Sequence, residues 1–156
     1  MSTPAKRRLL KDLEEITQSS IVHNIFAEPL ENDLYTWVAV ITGPRDSIYE
    51  GGFFSLVLLF DEEYPQHAPE VSFISKMFHP NIYENGDICL DILKNKWSPS
   101  YSITSLLLSI QNLLTDPNVN SPANSDAAML FEHDKETYEK RVKETVELSW
   151  SGFEEL

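Results

Sequence analysis

His79-Pro80-Asn81-Ile82-Tyr83-Glu84-Asn85-Gly86-Asp87-Ile88-Cys89-Leu90-Asp91 is the stretch on which the reading of this chain turns. Cys89 is the only cysteine, and it lies eight residues after Asn81. On residue type alone a lone cysteine reads as a small buried hydrophobe. The surroundings point elsewhere. A thiolate holds an acyl group as a thioester, and a side-chain amide donates a hydrogen bond to a developing oxyanion. Both groups stand here at a fixed spacing, in a turn-rich loop that ends in a short apolar run.

Outward from this stretch the chain changes character on both sides. Residues 76–100 carry turn residues throughout and no long period, and a loop of that length in a compact domain is usually functional. Before it, residues 3–17 read as a helix, with Thr3 as cap, Pro4 in the first turn and Leu9, Leu10, Leu13 and Ile16 as the apolar stripe. A weak strand at 21–27 follows, then a turn from Glu28 to Asp33. Strands at 34–42, 53–60 and 71–74, joined by short turns, indicate an antiparallel meander. After the loop, Ile103, Leu106, Leu107, Ile110, Leu113 and Leu114 fall at helical spacing, with Ser102 or Ser100 to cap them. Thr115 to Ser125 is a second irregular segment. Asp126 is expected to cap a short helix over 127–131, and a last helix covers about 134–150 with Tyr138, Val142 and Val146 facing inward. The fold class is α+β: an N-terminal helix, a four-stranded antiparallel meander, an irregular active-site segment, then three helices.

With 156 residues, 42% hydrophobic and 24% charged, the composition is that of one soluble globular domain. No run is long and apolar enough for a membrane span, and no secretory signal is visible. A single cysteine leaves no internal disulfide, which suits a cytosolic or nuclear setting, and no zinc-ligand set, so neither metal nor cofactor is expected. The formal net charge of −13 argues against direct nucleic-acid binding. It favours basic partners. Four of the twelve lysines and arginines cluster at Lys6, Arg7, Arg8 and Lys11, a positive patch on an acidic body or an ordinary solvated helix face.

These features together resemble the ubiquitin-conjugating (UBC) family over nearly the whole chain, from about Pro4 to Trp150. The resemblance is carried by Trp37, Gly43-Pro44, Tyr49-Glu50-Gly51-Gly52, Tyr64-Pro65, Phe78-His79-Pro80-Asn81, Gly86, Ile88-Cys89-Leu90-Asp91-Ile92-Leu93, Trp97-Ser98-Pro99 and Asp116-Pro117-Asn118. The opening Met1-Ser2-Thr3-Pro4-Ala5, the segment Asn120-Ser121-Pro122-Ala123-Asn124, Lys140-Arg141-Val142 and Ser149-Trp150 look most like the repair-associated, histone-modifying members. The pattern departs at Ile48 and His67-Ala68, and residues 18–28 match least.

The resemblance implies that Cys89 accepts the ubiquitin C-terminus from the activating enzyme and passes it to a substrate lysine. It implies that Asn81 is either the oxyanion donor or a loop-fixing amide, and that His79 is a buried loop pin rather than a catalyst. Tyr83, Asp91 and Ser121 match positions that shape the approach of the incoming lysine. Arg7, Arg8 and Lys11 match the surface that relatives offer to the activating enzyme and to RING-type ligases, with Gln66, Pro99 and Ser100 completing the ligase site. Phe26 falls on a sheet face where some relatives bind a second ubiquitin, or it is a half-buried strand residue. Trp37, Trp97 and Trp150 are expected to pack. Three alternatives compete. A carrier of another ubiquitin-like modifier is one, although the SUMO-type insertion before Trp97 is missing. A non-catalytic UBC-like module is a second, which Cys89 argues against. A cysteine hydrolase is a third, and it needs His23, His67, His79 or His133 beside Cys89 as a base.

Overall fold

The computed structural model describes residues 2–154. In chain order it contains α1 (Pro4–His23), β1 (Ile25–Leu30), β2 (Asp33–Thr42), β3 (Phe53–Leu59), β4 (Glu70–Phe73), a short 3₁₀ turn (Asp91–Leu93), α2 (Ile103–Thr115), α3 (Ser125–His133) and α4 (Lys135–Glu154). The expected order of elements is therefore found. No helix among the described residues is long and apolar enough to cross a membrane.

Thr3 caps α1 as its residue type predicts, its hydroxyl accepting from the Lys6 N–H at 3.2 Å. The buried face is Ala5, Leu9, Asp12 and Ile16. Leu10, expected on the apolar stripe, is exposed. The helix also runs to His23, past the expected end at residue 17. Its terminator is Asn24, in the left-handed conformation at φ 55°, whose N–H reaches the Ser20 carbonyl. The strand expected at 21–27 therefore starts at Ile25, and it extends to Leu30 into the expected turn.

The sheet order is β1-β2-β3-β4, antiparallel throughout. Strand alternation decides its faces. Phe54, Leu56 and Leu58 of β3 are buried, as are Trp37, Ala39 and Ile41 of β2. They join Ile103, Leu106, Leu107 and Ile110 of α2 and Tyr138, Val142 and Val146 of α4 in one core cluster. The opposite face carries Phe26 and Val38, both exposed. Ser102 caps α2 in a reciprocal capping box with Ser105. Asn124, not Asp126, caps α3, its side chain accepting from the Ala127 N–H.

The site loop is stitched to this frame. Gly86 sits at φ 97°, and a Cβ there would lie 2.1 Å from the Phe73 carbonyl oxygen. Glycine is thus required twice over, for its backbone angle and for its closeness to β4. In return the Phe73 N–H donates to the Gly86 carbonyl at 2.8 Å, and Ser72 bridges Asp87.

Candidate active site

The spacing of Asn81 and Cys89 acquires a geometric meaning in this loop. Tyr83 and Asp87 close a tight turn, with Tyr83 N–H donating to the Asp87 carbonyl at 2.9 Å and Gly86 N–H to that of Tyr83 at 2.9 Å. Ile82 and Ile88 pair across it as an antiparallel bridge. The chain returns beside itself, and the Cys89 N–H donates to the Asn81 carbonyl at 2.8 Å. Eight residues is the length that brings the backbone of Cys89 back against that of Asn81.

Cys89 is half-buried. It lines a cavity of about 610 Å³ with Asn81, Leu90, Asp91, Ile92, Lys94, Asn95, Ser109, Asn112, Leu113, Asp116, Asn118 and Ser121. Asn81, Asp91 and Ser121, singled out from the sequence, are thus gathered around the thiol. Tyr83 is exposed on the turn and outside that lining. Asp91 opens the 3₁₀ turn and pairs with Lys96 at 3.6 Å.

His79 is fully buried. Its Nδ1 receives the Asn81 N–H at 2.9 Å, which fixes the proton on Nε2, and Nε2 donates to the Leu113 carbonyl at 2.7 Å. Burial holds its pKa down at about 4, below the ordinary 6.5, against the opposing pull of the α2 carbonyls. Both ring nitrogens are occupied, so the imidazole pins the loop to the end of α2. Among the described residues no histidine lines the Cys89 cavity. His67 pairs with Asp61 at 3.0 Å and His133 lies 3.8 Å from Glu132, both exposed. The base that a hydrolase would need is not beside the thiol.

Asn81 is also buried. Its Oδ1 accepts from the Asn118 N–H at 2.7 Å and its Nδ2 donates to the Asn118 carbonyl at 2.6 Å. One Nδ2 hydrogen is spent there, and an amide nitrogen carries two. The second irregular segment is held again where the Ala123 and Asn124 N–H groups both donate to the Pro80 carbonyl, at 2.7 and 3.1 Å. Ser121 lies between these two anchors. Asn118 belongs to the Asp116-Pro117-Asn118 motif, but sequence reasoning assigned it no role, because its backbone rather than its side chain does the holding.

A family model described as "Ubiquitin-conjugating enzyme" matches residues 8–146. This match takes in the His-Pro-Asn turn, Cys89 and the cavity wall. The chain belongs to the ubiquitin-conjugating enzyme family. It is 54% identical over 150 residues to ubiquitin-conjugating enzyme E2 2 of Saccharomyces cerevisiae, covering 96% of this chain and 87% of that one. It is 55% identical over 150 residues to the protein of the same name from Kluyveromyces lactis, covering 96% and 91%. Among solved structures it resembles the E2 domain of a Toxoplasma gondii ubiquitin conjugating enzyme, with a TM-score of 0.84, 36% identity, and 91% and 96% of the two chains covered. The fold is therefore the UBC fold, and the activity is that of an E2 transferase working through a thioester. Ubiquitin, an activating enzyme, ligases and protein substrates are the partners that membership in the family brings.

The surface residues of this E2 divide into two groups. Arg7 and Lys11 are exposed on α1, as are Gln66, Pro99 and Ser100 on two neighbouring loops. Trp97 ties those loops together, its indole N–H donating to the Pro65 carbonyl at 2.8 Å. Arg8 differs. Expected on the partner-facing surface, it is only partly exposed, and its guanidinium is committed to Asp12, Pro99 and Tyr101. Phe26 is 44% exposed, so the half-buried reading gives way to an open sheet face. Trp37 packs in the core, but Trp150 is 45% exposed, bonding the Gly51 carbonyl at its edge instead of packing as expected.

Proposed function

We propose that Cys89 is the residue that carries ubiquitin. The observation that carries this reading is the sole thiol lining a cavity that also holds Asn81, Asp91 and Ser121. The Cys89 thiolate attacks the thioester carbonyl on the activating enzyme, and the tetrahedral intermediate collapses with expulsion of that enzyme's thiolate. A lysine amine then attacks the new thioester, gives up its proton to solvent water, and expels Cys89 as thiolate. This chain needs no cofactor for either step. The Asn81 amide has one hydrogen left to offer the oxyanion, and its bonds to Asn118 hold it at the thiol's side. Asp91 and Ser121 flank the lysine's entry.

Arg7 and Lys11, with Gln66, Pro99 and Ser100, form the docking surface for the activating enzyme and a RING-type ligase. The Met1–Ala5, Asn120–Asn124 and Ser149-Trp150 segments, which resemble those of the repair-associated, histone-modifying members, are the ground for assigning it such a role, in cytoplasm or nucleus. A single UBC domain, its core about 4–150, is the unit to which this activity is assigned. The test is incubation with activating enzyme, ATP and ubiquitin or a single ubiquitin-like modifier. A reductant-sensitive adduct with ubiquitin alone supports the reading, and an adduct only with another modifier overturns it.

A further inference from the structure

The Arg8 guanidinium makes three hydrogen bonds in three directions. Nε donates to Asp12 Oδ1 at 3.1 Å, one terminal nitrogen to the Pro99 carbonyl at 2.7 Å, and the other to the Tyr101 carbonyl at 2.6 Å. Its carbon lies 5.5 Å from the centre of the Tyr64 ring. Asp12 is 2% exposed, and its second oxygen accepts from the Tyr64 hydroxyl at 2.5 Å. The two carbonyls that Arg8 holds are 91 and 93 residues away in sequence, and they bracket Ser100.

We infer that Arg8 is a positioning residue for ligase docking: held by Asp12 and Tyr64, it fixes the Pro99–Tyr101 loop against α1 through its own two bonds to that loop, and it is not itself a partner contact. The inference rests on the reading of Pro99 and Ser100 as ligase surface. A planar guanidinium reaches a carboxylate and two carbonyls at once, and an ammonium on a flexible stem does not. The shape of the group therefore matters more than its charge. A cation that meets a partner in water behaves in the opposite way, because its effect survives replacement by lysine and fades with salt.

The test uses full-length protein charged with ubiquitin and the RING domain of a ligase selected because it accelerates discharge of the unmodified protein. Arg8→Lys keeps the charge. It is expected to weaken apparent RING affinity about tenfold, equally at low and high salt, while saturating RING restores the discharge rate. Amide hydrogen exchange should quicken over 98–101 with the sheet unchanged, which shows that the fold survives. Lys143→Arg, exposed on α4 and outside that surface, should leave affinity as it was. Ser100→Arg, a block at the loop tip, tests the surface itself. If Ser100→Arg weakens RING affinity and Arg8→Lys does not, the positioning role falls alone. If neither does, the ligase surface lies elsewhere and both readings fall. A defect in Arg8→Lys that appears only at low salt also overturns the inference.

Discussion

Asn81 and Asn118 hold each other twice, side-chain oxygen to backbone N–H at 2.7 Å and side-chain nitrogen to backbone carbonyl at 2.6 Å. This pair joins the loop bearing Cys89 to the segment bearing Ser121. The structural use of Asn81 is therefore compatible with the proposed catalytic one, since the bonds that tie the segment also fix the amide.

Removing the Asn81 side chain should cost both. Asn81→Ala removes two hydrogen bonds between a buried side chain and the exposed Asn118 backbone, at about 0.5–1.5 kcal/mol each a loss of about 1–3 kcal/mol of stability. The lost oxyanion donor should slow lysine transfer by about 10²–10³. Charging by the activating enzyme should suffer less. Chemical denaturation and single-turnover discharge of the pre-charged protein separate the two. A transfer rate that falls only in proportion to the lost folded fraction reduces Asn81 to a structural residue.

His79 supplies a pH dependence of stability. Unfolded, its ring takes a proton as pH falls through 6.5, but the folded protein resists protonation until about 4. The unfolded state thus binds more protons in that window, so the contribution is intact above 6.5 and is lost as pH falls toward 4. Protonation would also put an N–H on Nδ1 against the Asn81 N–H. Across the window His79 should account for about 3 kcal/mol of acid destabilisation. His79→Gln should lose that much less stability than the parent between pH 7 and 4, the carboxylates being common to both. Parallel urea-unfolding curves for the two proteins would contradict the assignment.

The limits of legibility lie where backbone groups do the work. The capping residues Thr3 and Ser102 are readable because their side chains make the capping bonds, and Asn81 and Cys89 stand out by residue type and spacing. The end of α1 is not, because Ile21 and Val22 look like a strand, yet they are 83% and 77% exposed on helix. The stop signal was Asn24, which tolerates the left-handed conformation that the turn requires. Asn124 and Asp126 are both capping types, and the choice falls to Asn124 because its N–H is held by Pro80. Arg8 shows an i,i+4 spacing to Asp12 in the sequence, but nothing there reveals two carbonyls from beyond residue 98.

Arg7 and Lys11 offer a cleaner probe of electrostatic docking than Arg8 does. Arg7→Glu with Lys11→Glu should slow charging by the activating enzyme about tenfold at low ionic strength, with melting temperature nearly unchanged. Raising salt toward 0.5 M should shrink the gap to the parent. Charging kinetics over a salt series decide it, and a gap independent of salt would remove steering from the explanation.

Ser121 lines the cavity beside two carboxylates, Asp91 and Asp116, and one ammonium, Lys94. Ser121→Asp adds a charge that attracts an incoming lysine in its ammonium form. Discharge to free lysine should rise by roughly fivefold near neutral pH, the return on about 1 kcal/mol of attraction between solvated charges. The advantage should narrow as pH climbs toward the lysine pKa near 10, where the acceptor loses its charge. Ser121→Ala should remain at or below the parent. Phosphorylation ahead of Pro122 would act in the same direction with more charge. Equal single-turnover rates for Ser121→Asp and the parent at every pH would show that the serine does not gate entry.

Every step of the proposed mechanism passes through one thiol, that of Cys89. Cys89→Ala and Cys89→Ser, each mixed with activating enzyme, ATP and ubiquitin, put that to the most direct test on reducing and non-reducing gels. The alanine variant should form no adduct. The serine variant should form an oxyester that survives reductant and is cleaved by base. A reductant-sensitive ubiquitin adduct on Cys89→Ala would contradict the account at its centre, because this chain has no other thiol.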